Sequence, residues 1–202
     1  MRIILIAGIH TTLTNPTVPN LIPYLQSPVY NVAHPNYGYI LAAETRRINP
    51  MCTSLLAPFI EGGDVLVGHS NGCNIIYDLL DVLVNAGNAP RGLVFINAAL
   101  EPKITLPADI EWCDVYFNGG DTVTEVAEIA AWLGTAPRTW GEMGHSGYVG
   151  TDPRITNHDC GNTPGMPKVN GHSDLFTPAN LPMWGKFIGD RITSLTNLGL
   201  NP

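Results

Sequence analysis

Two kinds of hydrophobic pattern alternate along the chain. Short, nearly continuous apolar runs are typical of strands buried on both faces of a parallel sheet. Segments in which apolar residues recur every three or four positions predict amphipathic helices. The apolar runs lie at residues 2–10, 29–33, 65–67, 92–97 and 114–118, and 138–140 is a further candidate strand. The segments with helical spacing lie at 39–59, with Pro50 expected to interrupt it, and at 73–87, 124–133 and 182–196.

This alternation predicts an α/β fold of three layers. Strands that alternate with helices form a mostly parallel sheet, here of about five to six strands, with helices on both faces. No linker rich in serine or glycine divides the 202 residues, so a single domain spanning 1–202 is expected. Residues 141–179 are rich in glycine and proline and predict a long loop, and long loops in compact domains are usually functional.

The most informative segment is Gly68-His69-Ser70-Asn71-Gly72, which separates the apolar run 65–67 from the helical pattern at 73–87. A Gly-x-Ser-x-Gly sequence between a strand and a helix predicts a sharp turn that presents the serine hydroxyl at the helix N-terminus. Glycine on both sides removes the Cβ atoms that would clash in such a turn. Serine is also a good helix N-cap, which is the structural alternative for Ser70. The context favours a nucleophile.

Two other Gly-His-Ser triplets test this interpretation. They begin at Gly144 and Gly171. Neither Ser146 nor Ser173 has a glycine two residues later, and neither follows an apolar strand pattern. Only Ser70 therefore meets the requirements of the turn.

The strand, the Gly-x-Ser-x-Gly turn, the helix, a later acidic residue and a histidine near the C-terminus together resemble the α/β-hydrolase superfamily. The likeness covers nearly the whole chain, in a small version like the compact esterases and lipases, and the chain looks most similar to short hydrolases encoded by bacteria and phages. It implies a serine hydrolase of carboxylesterase or lipase type that cleaves a small-molecule carboxylic ester, or a thioester or amide, through an acyl-enzyme. No cofactor and no metal are expected.

The resemblance also assigns the acid of a Ser-His-Asp triad. In the superfamily this residue follows a strand on the C-terminal side of the nucleophile. Asp121 comes after the predicted strand 114–118 and a Gly-Gly pair, which matches that position. A helix N-cap is the structural alternative for Asp121, and Glu101 is the reserve candidate.

Three histidines follow Asp121 and could be the base. His172 lies shortly before the last predicted helix, which resembles the placement of the superfamily base, and is therefore favoured. His145 would fit instead if the last strand were 138–140, and His158 is a third candidate. Each could also be a loop histidine without a catalytic role.

Matching the loop after the first strand gives the oxyanion hole. By this match the backbone N–H groups of Ile9 and Asn71 are the expected donors. Further residues are candidates for the substrate pocket: His10, His69, Trp140, Tyr148 and Phe176.

Composition and charge indicate which kinds of protein and which binding partners are compatible with the sequence. The hydrophobic fraction of 45% and the charged fraction of 13% fit a globular enzyme. A net charge of -7 with only ten lysines and arginines argues against a nucleic-acid partner. The apolar run at the N-terminus is too short to span a membrane, so a cytoplasmic protein without a membrane span is expected. The sequence does not specify an oligomeric state.

Rival interpretations have weaker support. A metal site would draw on His145, Asp152, His158, Asp159 and Cys160, but apart from the adjacent His158-Asp159-Cys160 these lack a recognisable ligand spacing. No glycine-rich dinucleotide or phosphate loop is present in the sequence. The four cysteines are widely spaced and predict buried thiols. The alternative from another class is a binding or structural protein that keeps the hydrolase fold without turnover, because fold alone does not prove activity.

Overall fold

A computed structural model of the protein describes residues 1–8, 17–26, 29–33, 42–132, 134 and 137–198. The six strands are β1 (Ile3–Ile6), β2 (Val29–Ala33), β3 (Val65–His69), β4 (Gly92–Ile96), β5 (Trp112–Phe117) and β6 (Ile155–Asp159). The α-helices are α1 (Ala42–Leu56), α2 (Asn71–Asn85), α3 (Thr122–Trp132), α4 (Met143–Ser146) and α5 (Leu181–Leu198). Short 3-10 helices span Val18–Tyr24, Ala57–Phe59 and Asp174–Phe176.

The strands form one parallel sheet in the order β2-β1-β3-β4-β5-β6. The predicted α/β architecture is therefore confirmed. Strand order reverses at the boundary between β1 and β3, where Ile6 pairs with Gly68. Ligands of open parallel sheets bind beyond the carboxyl ends of the strands at such a reversal. The Ser70 turn follows β3 at this point.

Alternate residues of the central strands face opposite helical layers, because successive side chains of a strand point to opposite sides of the sheet. Ile4, Ile6 and Leu66 belong to a core cluster shared with α1 and α2. Val65 and Val67 belong to a second cluster, which includes residues of α5. Burial on both faces explains why the central strands have continuous apolar sequences.

The structure corrects three sequence-based expectations. Helix α1 continues through Pro50 rather than stopping there. Residues 138–140 form a turn, so they are not the last strand. That strand is β6, which lies inside the region 141–179 that we expected to be a loop. β6 is partly exposed and pairs only with β5, and such edge strands can be polar. Its sequence Ile-Thr-Asn-His-Asp therefore lacks the apolar signal of a central strand.

The remaining predictions on the core concern cysteines and membrane spans. Cys52, Cys73, Cys113 and Cys160 are all buried and free, as predicted. Within the described ranges, no helix has the length and apolarity needed to cross a membrane.

Candidate active site

Ser70 occupies a strained turn between β3 and α2. Its backbone has φ 56° and ψ -127°, a conformation that non-glycine residues rarely adopt and that costs about 1–3 kcal/mol. The turn is held by the Ser70 N–H, which donates to the Ile96 carbonyl at 3.1 Å, and by the Ser70 carbonyl, which accepts from Cys73 N–H at 3.1 Å. Strain at a buried but solvent-reached serine (6% exposed) is typical of a functional turn.

The glycines around Ser70 are required by close backbone contacts. A Cβ on Gly72 would overlap the Ile6 carbonyl oxygen and lie 2.8 Å from the Ala7 carbonyl oxygen. A Cβ on Gly68 would lie 2.9 Å from the Cys73 nitrogen. Across the sheet, a Cβ on Gly8 would lie 2.7 Å from the Ser70 Cβ. The end of β1 therefore contacts the serine directly, as the strand order requires.

Asp121 and His172 are joined by a hydrogen bond. The Nδ1 atom of His172 lies 2.9 Å from Asp121 Oδ2 and 3.0 Å from Oδ1. The carboxylate is fully buried and follows β5, whereas His172 follows β6. Because a carboxylate only accepts, Nδ1 carries the hydrogen and Nε2 is left free to take a proton.

The surroundings of Asp121 favour its charged form. Burial raises the pKa of the Asp121 carboxyl, but the hydrogen bond and charge of His172 lower it, and so do the Asn97 amide and the Thr124 N–H. The net result is a pKa below the usual range. A buried aspartate that stays ionised can orient an imidazole and stabilise its protonated form.

Asn97 is a site residue that the sequence analysis missed. It follows β4 with φ 46°, and its Nδ2 donates to Asp121 Oδ2 at 2.8 Å. The available signal was a polar residue directly after a buried apolar strand. Asn97 therefore fixes the acid from the neighbouring strand.

The other candidate bases lie elsewhere. His145 is in α4 beside Gly144, where a Cβ would lie 2.7 Å from Asp121 Oδ2. In the described part of the chain, however, the His145 ring makes no hydrogen bond with Asp121, and its buried Nδ1 has no partner. His158 Nε2 lies 3.3 Å from Asp114, in a separate cluster. Of the three candidate bases, His172 alone contacts the predicted acid through its ring.

His69 contacts both the backbone and the ring of His172. Its Nε2–H donates to the His172 carbonyl at 2.9 Å, and the centroids of the two rings are 4.8 Å apart. Burial, followed by repulsion from His172, lowers the pKa of His69 to about 3. His69 is therefore neutral at neutral pH, and it links the residue before Ser70 to the backbone of His172.

A buried amide network surrounds the first residue of α2. Asn71 Oδ1 accepts from Trp140 Nε1 at 2.9 Å and from Asn49 Nδ2 at 3.0 Å, while Asn71 Nδ2 donates to Asn49 Oδ1 at 2.9 Å. Asn49 Nδ2 also donates to Asn74 Oδ1 at 2.8 Å, and Asn74 Nδ2 donates to Thr139 Oγ1 at 2.6 Å. The network fixes the residue whose N–H is the expected oxyanion donor. Sequence reasoning had no signal for it.

The candidate pocket residues fall in different places. Phe176 lines a cavity of about 680 Å³, and its ring centroid lies 5.0 Å from that of His69. Tyr148 instead lines a cavity of about 490 Å³ together with Asp152 and Arg154. Trp140 is buried, and its indole N–H is used by the amide network.

Two sequence-based assignments lie outside the described residues, namely Ile9 as an oxyanion donor and His10 as a pocket residue. As for metals, the described ranges contain no group of three or more histidine, cysteine, aspartate or glutamate side chains arranged to hold an ion.

Comparisons with known proteins agree on the fold. No family model and no curated protein matches the sequence. A Vlm2 thioesterase domain is similar over 94% of this chain and 96% of that one, with a TM-score of 0.57 and 14% identity. RedJ is similar over 95% of this chain and 89% of that one, with a TM-score of 0.55 and 12% identity. Lipase B of Aspergillus fumigatus is similar over 94% of this chain and 51% of that one, with a TM-score of 0.57 and 11% identity.

Identities this low show the fold alone. The parallel six-stranded sheet, the helices on its two faces and these structural neighbours lead to one conclusion. The chain has an α/β-hydrolase-like fold.

Proposed function

We propose that this protein is a serine hydrolase that cleaves a carboxylic ester through an acyl-enzyme on Ser70. The observation that carries the proposal is the hydrogen bond of 2.9 Å between His172 and the buried Asp121. The pair follows two strands whose carboxyl ends lie at the same sheet edge as the strained Ser70 turn. A nucleophile, an oriented imidazole and a buried acid are the groups that acyl transfer requires.

Each residue has a defined chemical task in this mechanism. His172 Nε2 takes the hydroxyl proton of Ser70 while Oγ forms a bond to the acyl carbon. The carbonyl π electrons move to oxygen, where the backbone N–H of Asn71, and by resemblance that of Ile9, stabilise the negative charge. The oxyanion then collapses, the bond to the alcohol breaks, and the alcohol leaves with the proton from His172.

Deacylation repeats these steps with water as the nucleophile. His172 takes a proton from water, the hydroxide oxygen bonds to the acyl carbon, and Ser70 Oγ leaves with the proton returned by His172. A carboxylic acid is released and the enzyme is regenerated. Asp121 stays ionised throughout, since its hydrogen bonds favour the carboxylate. Thioesters and amides can be cleaved by the same steps with a thiol or an amine as the leaving group.

Hydrolysis of p-nitrophenyl esters of graded acyl length tests the proposal. Ser70→Ala is expected to lower kcat/KM by at least about 10⁴-fold, because it removes the nucleophile. The matched control is Ser146→Ala, which removes a hydroxyl from another Gly-His-Ser triplet and should retain activity. Full activity in Ser70→Ala would show that Ser70 is not the nucleophile.

The base is tested by a second pair of variants. His172→Ala should lose activity to a similar extent, whereas His145→Ala should retain most of it, because, of these two rings, it is that of His172 that is hydrogen-bonded to Asp121. The opposite result would assign the base to His145. If the wild type hydrolysed none of the esters, the alternative of an inactive binding protein with this fold would gain support.

A further inference from the structure

The cavity that Phe176 lines is formed by three segments and is open to solvent. Its walls come from the 3-10 helix Val18–Tyr24, the segment after His172 and the start of α5, and its volume is about 680 Å³. A space of this size accommodates a small organic group.

Ser70, Asp121 and His172 are not among the described lining residues, but two residues that do line the cavity neighbour the proposed site. Ser173 lines it and directly follows His172 in the chain. Phe176 also lines it, and the Phe176 ring packs edge-on against His69, the residue before Ser70. Part of a substrate bound at Ser70 could therefore extend into this space.

Asp174 gives the cavity a negative charge. It is the one charged side chain among the described lining residues, none of which is basic. Within the described ranges no side chain or backbone group donates a hydrogen bond to its carboxylate, which lies against Gly171, where a Cβ would be 3.0 Å from Oδ2. The backbone carbonyl of Asp174 accepts hydrogen bonds of 2.8 Å from both Thr177 Oγ1 and Asn180 Nδ2. These bonds hold the backbone from which the charged side chain extends.

Two aromatic rings line the same cavity. Phe176 is on the segment after His172, and Tyr24 is on the opposite 3-10 helix. The Tyr24 ring packs against α5 at Gly185, where a Cβ would lie 2.6 Å from the ring. Aromatic faces attract organic cations through the ring quadrupole, and an unpaired carboxylate adds a direct charge interaction.

We infer that this cavity binds an alkylammonium group of the substrate, between the Asp174 carboxylate and the rings of Tyr24 and Phe176. The inference rests on the proposed hydrolase function and names its substrate class, an ester that bears an organic cation. The net charge of -7 supports it, because a negative protein attracts cationic substrates.

Pairs of esters that have the same shape, one cationic and one neutral, measure the effect of the substrate charge alone. Acetylthiocholine and 3,3-dimethylbutyl thioacetate have the same shape. The leaving group of the first contains a quaternary nitrogen cation, and that of the second contains a neutral carbon at the same position. Betaine and 3,3-dimethylbutyrate esters place the same difference in the acyl part. For each pair the ratio of kcat/KM, charged over neutral, is measured in wild type and in Asp174→Asn. Comparing the two enzymes cancels the intrinsic reactivity of each ester.

Asp174→Asn is expected to lower this ratio about tenfold for the pair whose cation occupies the cavity. The neutral ester should be hydrolysed equally well by both enzymes. The control is Asp109→Asn, which removes the same charge from an exposed position away from the cavity and should leave both ratios unchanged. Ratios that are the same in Asp174→Asn and wild type for both pairs would overturn the inference while leaving the hydrolase proposal intact.

Binding provides a readout that does not require turnover. Phenyltrimethylammonium is titrated calorimetrically into wild type, Asp174→Asn and Asp109→Asn. Binding that is weakened about tenfold only by Asp174→Asn supports the cation site even if no ester is hydrolysed. Equal binding by all three proteins, or none by any of them, contradicts it.

Discussion

The amide network around Asn71 makes a strong prediction for Asn49. Asn49, Asn71 and Asn74 are each at most 1% exposed, so water cannot replace a lost hydrogen bond. Asn49→Leu retains much of the side-chain volume but removes both donors and the acceptor of the amide. The variant therefore separates hydrogen bonding from packing.

The expected loss of stability in Asn49→Leu follows from the polar groups that are left without hydrogen-bond partners. Asn71 Nδ2 loses its acceptor and Asn74 Oδ1 loses its donor, whereas Asn71 Oδ1 keeps the Trp140 indole and Asn74 Nδ2 keeps Thr139. Each buried polar group without a partner costs about 1–3 kcal/mol, so the free energy of unfolding should fall by about 4 kcal/mol. Because the N–H of Asn71 is the proposed oxyanion donor, kcat should also fall, by about tenfold for a loss of 1.4 kcal/mol.

Urea denaturation measures the first effect, and hydrolysis of a p-nitrophenyl ester measures the second. Thr53→Val is the matched control, since it removes a buried hydroxyl from the same helix. Within the described ranges this hydroxyl donates one hydrogen bond, to the Asn49 carbonyl. The substitution should cost no more than about 1 kcal/mol. A loss in Asn49→Leu no larger than that of the control, with an unchanged kcat, would refute the role assigned to the network.

Three further variants have distinct expected outcomes. Gly72→Ala should destabilise the fold by at least about 3 kcal/mol in urea denaturation, because its Cβ would overlap the carbonyl oxygen of Ile6 in a central strand. Asp121→Asn should lower kcat/KM by about 10⁴-fold, since the amide can favour the wrong tautomer of the base. Asp114→Asn should cost about 1–3 kcal/mol at neutral pH, because the half-buried Arg191 guanidinium loses the buried carboxylate to which it donates two hydrogen bonds.

The Asp114 variant also has a predicted pH dependence. Burial raises the pKa of Asp114, but its contacts with His158 and Arg191 bring it below the ordinary value of 3.8. A carboxylate with a lowered pKa stabilises the folded state above the unfolded value and ceases to do so as the pH falls through the folded value. The difference between wild type and Asp114→Asn should therefore be full above about pH 4 and shrink in more acidic solution. A difference that grew on acidification would contradict the assignment.

The predictions for Gly72→Ala and Asp121→Asn can each be contradicted by one result. A Gly72→Ala protein with wild-type stability would mean that the close approach of α2 to β1 is not required. A loss of less than about tenfold in Asp121→Asn would exclude the carboxylate as the acid of a triad.

Sequence patterns anticipated the features that depend on local residues. The turn at Ser70 was recognisable because a strand, two glycines and a helix all lie within a few positions of it. The central strands were recognisable because burial on both faces demands continuous apolar residues. By contrast, β6 is a polar edge strand with a single neighbour, and its sequence resembles a loop.

Long-range pairing limited the prediction of the site. Asp121 and His172 are 51 residues apart, and the resemblance to a family, rather than spacing, favoured His172 over His145. Asn97 contacts Asp121 because β4 and β5 are neighbouring strands, and Asn49 contacts Asn71 because α1 packs against α2. Nothing in the local sequence around either asparagine specifies those contacts.

The central claim is that Ser70 is the nucleophile, and active-site labelling tests it most directly. The protein is treated with a fluorophosphonate probe, digested, and mapped by mass spectrometry. We expect one adduct per chain on the peptide that contains Ser70, formed slowly or not at all in His172→Ala and absent in Ser70→Ala. No adduct on the wild-type protein, or an adduct that maps to Ser146 or Ser173, would contradict it.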